Sequence, residues 1–206
     1  ANAQKVLRRF WSRIGERPDT AGLEPQIAAE LLLCVGILSS WIGGTDQNKE
    51  AQETAKNLIT ESITYFESVG DVKKVASARV ELAFCYWYQG GIDEARIMFT
   101  EALEQLSVQG NTRARALFGL ALVDWSASRY RDALTILREN AQLFAEIDNR
   151  AHKAAYHNLI AMLLREFAKS EGGNDFLRQA ISEYEQADHE LELVRNVHFR
   201  ANIKNN

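Results

Sequence analysis

The chain has 206 residues, of which 46% are hydrophobic and 25% charged, and its formal net charge is −4 at neutral pH. This balance is typical of a globular protein with a buried core, and the negative charge argues against general binding of a phosphate backbone. The most apolar run, residues 27–42, contains Glu30 and falls short of the roughly 20 residues needed to span a bilayer, so membrane insertion is not expected.

Residues 1–24 are predicted to form a capping helix followed by a linker. Val6, Phe10 and Ile14 lie at i, i+4 and i+8, which predicts an amphipathic helix over residues 2–15. Both prolines of the chain lie at or before Pro25, so the remainder lacks the residue that most reliably breaks helices. Long helices are therefore expected from there onward, and the first helix is expected to cap them.

Residues 26–67 carry a weak helix-hairpin pattern. Gly36 and Ala55 are its candidate small contacts, at the points where the two helices would approach each other. The run Gly43-Gly44-Thr45-Asp46 has the composition of a turn, and it is the predicted connection between the two helices.

A stronger hairpin is predicted between residues 76 and 106. Apolar and small residues recur at helical spacing on both sides of the break Gln89-Gly90-Gly91. The first helix carries Leu82, Ala83 and Tyr86 on one stripe, and the second carries Ala95, Phe99 and Ala102. Small side chains on both stripes would let two antiparallel helices approach closely.

The pattern Leu82-Ala83-x-x-Tyr86, followed by Ala95-x-x-x-Phe99-x-x-Ala102, resembles the tetratricopeptide repeat. This resemblance implies an all-α fold, a right-handed superhelical solenoid of antiparallel helix hairpins. The sequence departs from the pattern at Arg79, where tryptophan is frequent, and at Ser107, where a proline often closes the repeat. Both departures concern the pitch of the repeat more than the fold.

The pattern returns twice more along the chain. Ala121 lies 38 residues after Ala83 and opens a third copy, whose small and apolar positions continue through Tyr130, Ala133 and Leu137. A fourth copy has Ala161 on its first helix and Ala180, Tyr184 and Ala187 on its second, with an enlarged turn over residues 169–175. Asn111 and Asn149 precede the third and fourth copies and are predicted to be helix N-caps.

The apolar residues of the segment 197–203 begin another helical stripe. The solenoid is thus predicted to span residues 25–206, with about four hairpins and the start of a further helix. We expect the chain to be a fragment of a longer bacterial protein of this family. Its exposed C-terminal end would allow self-association.

No set of residues suggests a catalytic centre or a metal site. His152 and His157 are five residues apart and therefore lie on different faces of a helix, whereas a zinc-binding pair would be four apart. We predict no enzymatic activity, no cofactor and no bound metal.

Tryptophans recur near the ends of the predicted first helices. In the resembling family, first helices line the concave surface, and residues one and four beyond the small contact generally point into it. The resemblance therefore implies a ligand-binding groove, which would be lined by Trp41, Phe84, Trp87, Phe118, Leu122, Trp125, Asn158, Met162 and Arg165. An alternative interpretation, about equally compatible with the pattern, is that the tryptophans pack between neighbouring first helices.

The predicted groove is mainly apolar and aromatic, which favours a hydrophobic peptide or helix as its ligand. The resemblance thus implies a non-catalytic protein–protein interaction module. The alternative is a sensory or regulatory domain of a larger bacterial regulator, which would bind a peptide or small ligand and control an attached effector domain. A purely structural spacer is a third interpretation. The expected partner is a protein or peptide, without specific nucleic acid or membrane insertion, and a cytoplasmic location is expected because no signal-peptide pattern is present.

Overall fold

A computed structural model describes residues 7–106 and 110–193, and this part of the chain consists of helices and turns without strands. The chain divides into two compact units, residues 1–107 and residues 108–206. The prediction of an all-α fold is therefore confirmed. Each unit is built from helix hairpins.

Unit 1 contains two stacked hairpins. Its helices are α1 (Pro25–Thr45), α2 (Lys49–Ser68), α3 (Val72–Tyr88) and α4 (Ile92–Gln105). Helix α1 packs against α2 and helix α3 against α4, while α3 also contacts α1 and α2. A core of small and apolar side chains joins the hairpins, and its members include Ile59, Ile63 and Phe66 from α2 with Val75, Ala78 and Leu82 from α3.

Unit 2 contains two further hairpins. Its helices are α5 (Asn111–Ser126), α6 (Tyr130–Glu139), the short α7 (Ala141–Glu146), α8 (Arg150–Glu171) and α9 (Asn174–Glu192). Helix α5 packs against α6 and helix α8 against α9, and α8 also contacts α5, α6 and α7. The small residues predicted at the close contacts, including Ala121, Ala133 and Ala161, are fully buried.

The two predicted N-caps have different outcomes. Asn149 caps α8 as predicted, because its side chain accepts a hydrogen bond of 3.2 Å from the backbone N–H of His152. The prediction for Asn111 is wrong by one position. Gly110 takes the cap position with a φ of 152°, a conformation open to glycine, and Asn111 is the first helical residue.

The predicted turn at residues 43–46 is wrong, because α1 continues to Thr45. The glycines there serve close packing. A Cβ on Gly43 would lie 2.9 Å from the Cβ of Ala51, and a Cβ on Gly44 would lie 2.5 Å from the ring of Tyr88. Gly36 is confirmed as a small contact, since its Cβ would meet Ile59 Cγ1 at 2.6 Å.

The turn of the fourth hairpin is shorter than predicted. Helix α8 continues to Glu171 and α9 begins at Asn174, so only Gly172 and Gly173 connect them. Both glycines have positive φ angles, 75° and 111°, which lets two residues reverse the chain. The polar residues before and after them extend the two helices instead of forming a loop.

The predicted N-terminal helix is wrong over residues 8–15, which form turns and irregular backbone; residues 2–6 lie outside the described part of the chain. The chain folds back because the indole Nε1–H of Trp11 donates to the Glu16 carbonyl at 3.0 Å and Gly15 adopts a φ of 82°. Phe10 and Ile14 of the predicted stripe still pack inward, against a core cluster that Trp11 forms with Leu31 and nearby residues of α1.

Helix α1 is long and apolar enough, by length and composition, to cross a membrane, with a mean hydropathy of 1.8. It extends beyond both ends of the 16-residue apolar run, residues 27–42. Half of this stretch is buried inside the protein, as in the core helix of a helical repeat. The further helix predicted at residues 197–203 lies outside the described residues.

Candidate functional site

Helix α5 has seven buried residues and, on one of its faces, a stripe of residues that are partly open to solvent. Its buried positions are Ala114, Ala116, Leu117, Gly119, Ala121, Val123 and Asp124. Phe118, Leu122 and Trp125 follow each other at i, i+4 and i+7, and each is half-buried. A single face of the helix therefore carries two aromatic rings and a leucine side chain within reach of solvent.

Helix α8 repeats this arrangement with different chemistry. Asn158, Met162 and Arg165 are half-buried and have the same offsets from Ala161 that the stripe on α5 has from Ala121. Since α5 and α8 contact each other and are the first helices of their hairpins, the two stripes occupy corresponding faces of neighbouring helices. We call these six residues the α5–α8 face.

The polar residues of the α5–α8 face are held by specific contacts. The Nδ2 of Asn158 donates to the Sδ of Met162 at 3.6 Å, while its Oδ1 is shielded from solvent and accepts no hydrogen bond within the described residues. The Nη1 of Arg165 donates to the hydroxyl of Tyr184 on α9 at 3.3 Å. This hydrogen bond raises the pKa of the guanidinium above its ordinary value. The face thus combines apolar surface with a fixed cation, while the amide oxygen of Asn158 lies beneath the surface.

The three remaining candidate residues lie in unit 1. Trp41 on α1 is 51% exposed, and Trp87 on α3 is half-buried with its ring centroid 5.0 Å from that of Tyr88. Phe84 is only 5% exposed, and its ring packs edge-on against Phe99 at 5.0 Å. Phe84 therefore belongs to the core of the α3–α4 hairpin, contrary to the prediction that it lines an open surface.

Sequence reasoning did not find the role of Tyr184. Its position on the apolar stripe of the second helix predicted packing, but its hydroxyl also fixes Arg165 of the α5–α8 face. The two residues are 19 positions apart, so no local spacing relates them. Only the pairing of α8 with α9 brings them together.

Cys85 and His157 take structural roles. Burial raises the pKa of the Cys85 thiol to about 12, so this group stays protonated and is a poor nucleophile. The Nδ1 of His157 lies 2.7 Å from Glu183 Oε2, which links α8 to α9. Within residues 7–106 and 110–193, no group of three or more His, Cys, Asp or Glu side chains is arranged to hold a metal ion.

Comparison with known families gives a match over part of the chain. The family described as tetratricopeptide repeat matches residues 74–140. This span runs from the first turn of α3 to the end of α6. It therefore covers the second hairpin, α3 with α4, and the third hairpin, α5 with α6. A search of curated proteins finds no match.

Proposed function

We propose that this chain, which belongs to the tetratricopeptide repeat family over residues 74–140, is a non-catalytic module that binds a peptide or helix of a partner protein. Repeats of this family generally mediate protein–protein interaction and are typically non-catalytic. The observation that carries the proposal is the α5–α8 face. It presents half-buried aromatic and apolar side chains on the first helices of two neighbouring hairpins.

The chemistry of the face indicates what kind of ligand it suits. Phe118, Leu122 and Trp125 offer apolar surface to a hydrophobic side chain, and tryptophan is enriched among residues that dominate binding energy. Arg165 offers a guanidinium to a backbone carbonyl or a carboxylate of a peptide. This combination favours a peptide with at least one large apolar side chain, bound through both its side chain and its backbone.

The first test is selection from a phage-displayed library of random peptides with the purified 206-residue chain. We expect the selected peptides to share a large apolar residue. Replacing Trp125 by Ala should weaken binding of a selected peptide by roughly 2 kcal/mol, or about 30-fold in Kd, because a hot-spot ring and its contacts are lost. Titration calorimetry or fluorescence anisotropy measures this change.

Ile97→Ala is the matched control, because Ile97 is 57% exposed on α4 and lies outside the α5–α8 face. It should leave the affinity unchanged. Thermal unfolding of both variants separates a binding effect from a folding effect. The proposal fails if Trp125→Ala lowers the melting temperature strongly while the folded fraction binds the peptide with unchanged affinity.

A further inference from the structure

Helix α1 carries apolar side chains on its solvent-exposed face as well as on its buried face. Ile27 is 53% exposed and Trp41 is 51% exposed, and Cys34 between them is also exposed. The second helix of the same hairpin differs, because the exposed residues of α2 are all polar: Lys49, Glu50, Glu53, Asn57, Thr60, Glu61, Thr64, Glu67 and Ser68. A helix that is apolar on both faces is normally covered on both faces. The exposed face of α1 is therefore the kind of surface that a partner covers.

Ile27, Cys34 and Trp41 lie on one line along α1. They are seven residues apart, so successive members differ by only about 20° around the helix and lie about 10 Å apart along it. Ile37 is half-buried between Cys34 and Trp41 and broadens this line. Apolar residues that recur every seven positions form the seam through which two helices pack side by side. We call Ile27, Cys34 and Trp41 the α1 seam, and its spacing indicates that the covering element is a helix.

The α1 seam is complementary to itself. Ile27 and Trp41 lie at equal distances on either side of Cys34. When two copies of α1 pack antiparallel about a two-fold axis at Cys34, each Ile27 faces the Trp41 ring of the other copy and the two Cys34 side chains face each other. An aliphatic side chain against an indole ring buries a large apolar area. A second copy of the chain therefore covers every residue of the seam.

The charges on α1 also favour a second copy as the occupant. Glu30 is the one charged residue of this helix, and its Oε1 lies 3.0 Å from the Nζ of Lys74 on α3. The seam thus presents no net charge that would repel its copy. Helix α1 also has no Lys or Arg, the residues with which amphipathic helices bind an anionic bilayer surface. A neutral apolar helix therefore suits the seam better than a membrane surface or a highly charged partner.

We propose that the chain forms a two-fold symmetric dimer through the α1 seam, with the two α1 helices antiparallel and Cys34 at the axis. The seam shares no residue with the α5–α8 face, so this proposal and the proposed peptide binding stand or fall separately. Three exposed side chains per copy make a small interface, and interfaces that bury less than about 1,200 Å² in total are typically transient. We therefore expect a concentration-dependent equilibrium between monomer and dimer.

Sedimentation velocity of the purified chain tests the dimer at concentrations from about 5 to 500 μM, which covers the dissociation constants of weak complexes. We expect the average sedimentation coefficient to rise with concentration. Trp41→Glu should raise the dissociation constant at least about tenfold, because it removes the largest ring of the interface and places a charge in an apolar contact. Ile27→Glu should have the same effect, and a carboxylate in the first turn is favourable for the helix itself.

Cysteine cross-linking tests the symmetry of the dimer. Cys34 is exposed and Cys85 is buried, so a short bismaleimide should join two copies through Cys34. The double variant Cys34→Ser with Ile27→Cys provides the comparison. In an antiparallel dimer its two introduced thiols lie about 20 Å apart along the helix axes, so the same short reagent should not join them.

Ile97→Glu is the matched control, since it introduces the same charge at a comparably exposed isoleucine on α4. It should leave the association unchanged, and circular dichroism checks that all variants remain helical. A chain that stays monomeric over the whole concentration range would overturn the proposal, as would association that Trp41→Glu and Ile27→Glu both leave intact. Association without a Cys34 cross-link, or with a cross-link through Ile27→Cys, would overturn the antiparallel arrangement.

Discussion

At the residue scale, four turns of the described chain depend on one backbone conformation. Gln47, Gly70, Gly90 and Ser128 have φ angles of 53°, 71°, 82° and 58°, which is the left-handed region. In each case the next residue donates its N–H to a carbonyl five residues back, so the turn ends the helix in the same way. Glycine occupies only two of these four equivalent positions.

Ser128 is therefore expected to be strained. The left-handed conformation costs a residue with a Cβ roughly 1–2 kcal/mol relative to glycine, and Gly90 occupies the equivalent place after α3. Ser128→Gly should raise the free energy of unfolding by roughly 0.5–1 kcal/mol, after the greater chain entropy of glycine in the unfolded state is included. Urea unfolding followed by circular dichroism measures the change.

The reciprocal variant Gly90→Ser is the control and should lower the free energy of unfolding by about 1 kcal/mol. No side chain or backbone atom would obstruct a Cβ on Gly90 within 4 Å, so the effect isolates the backbone conformation. Equal stability of Gly90→Ser and the parent chain would show that the left-handed conformation is not the source of strain in these turns.

At the element scale, residues 8–24 before α1 are held by specific contacts although they do not form a helix. The Trp11 side chain is 2% exposed and shares a core cluster with Leu31, Leu32 and Val35 of α1. Arg17 adds a two-pronged ion pair to Glu61 on α2, with N–O distances of 2.5 and 2.7 Å. The segment thus acts as a strap that covers one side of the first hairpin.

Removing the Trp11 ring should destabilise unit 1 markedly. Trp11→Ala should cost about 3–5 kcal/mol of folding free energy, because a buried aromatic side chain is replaced by a cavity. Trp41→Ala, at a residue that is 51% exposed on the same hairpin, should change stability by less than about 1 kcal/mol. Chemical denaturation of the two variants gives the comparison, and similar losses for both would contradict the strap.

At the scale of the whole molecule, the described residues carry no strand, and their helices range from the six residues of α7 to the 22 of α8. The far-UV circular dichroism spectrum of the purified chain should therefore be dominated by helix. A substantial sheet component in the spectrum would be incompatible with this fold.

The sequence by itself determined the helices and the small contacts between them. Helical periodicity is a local property, and alanines such as Ala83, Ala95 and Ala121 are recognisable because only small residues allow close helix contacts. Turn chemistry was less informative. Gly43 and Gly44 have the composition of a turn, yet they serve close packing inside α1, since glycine suits both tasks.

The tertiary structure decided which apolar side chains are surface and which are core. Phe84 and Leu122 have the same spacing from a small residue, but Phe84 packs on Phe99 while Leu122 remains half-buried. It also decided that Tyr184 holds Arg165 and that Ile181 is uncovered. Spacing within a helix fixes the face on which a residue lies, whereas its exposure depends on which neighbouring element occupies that side.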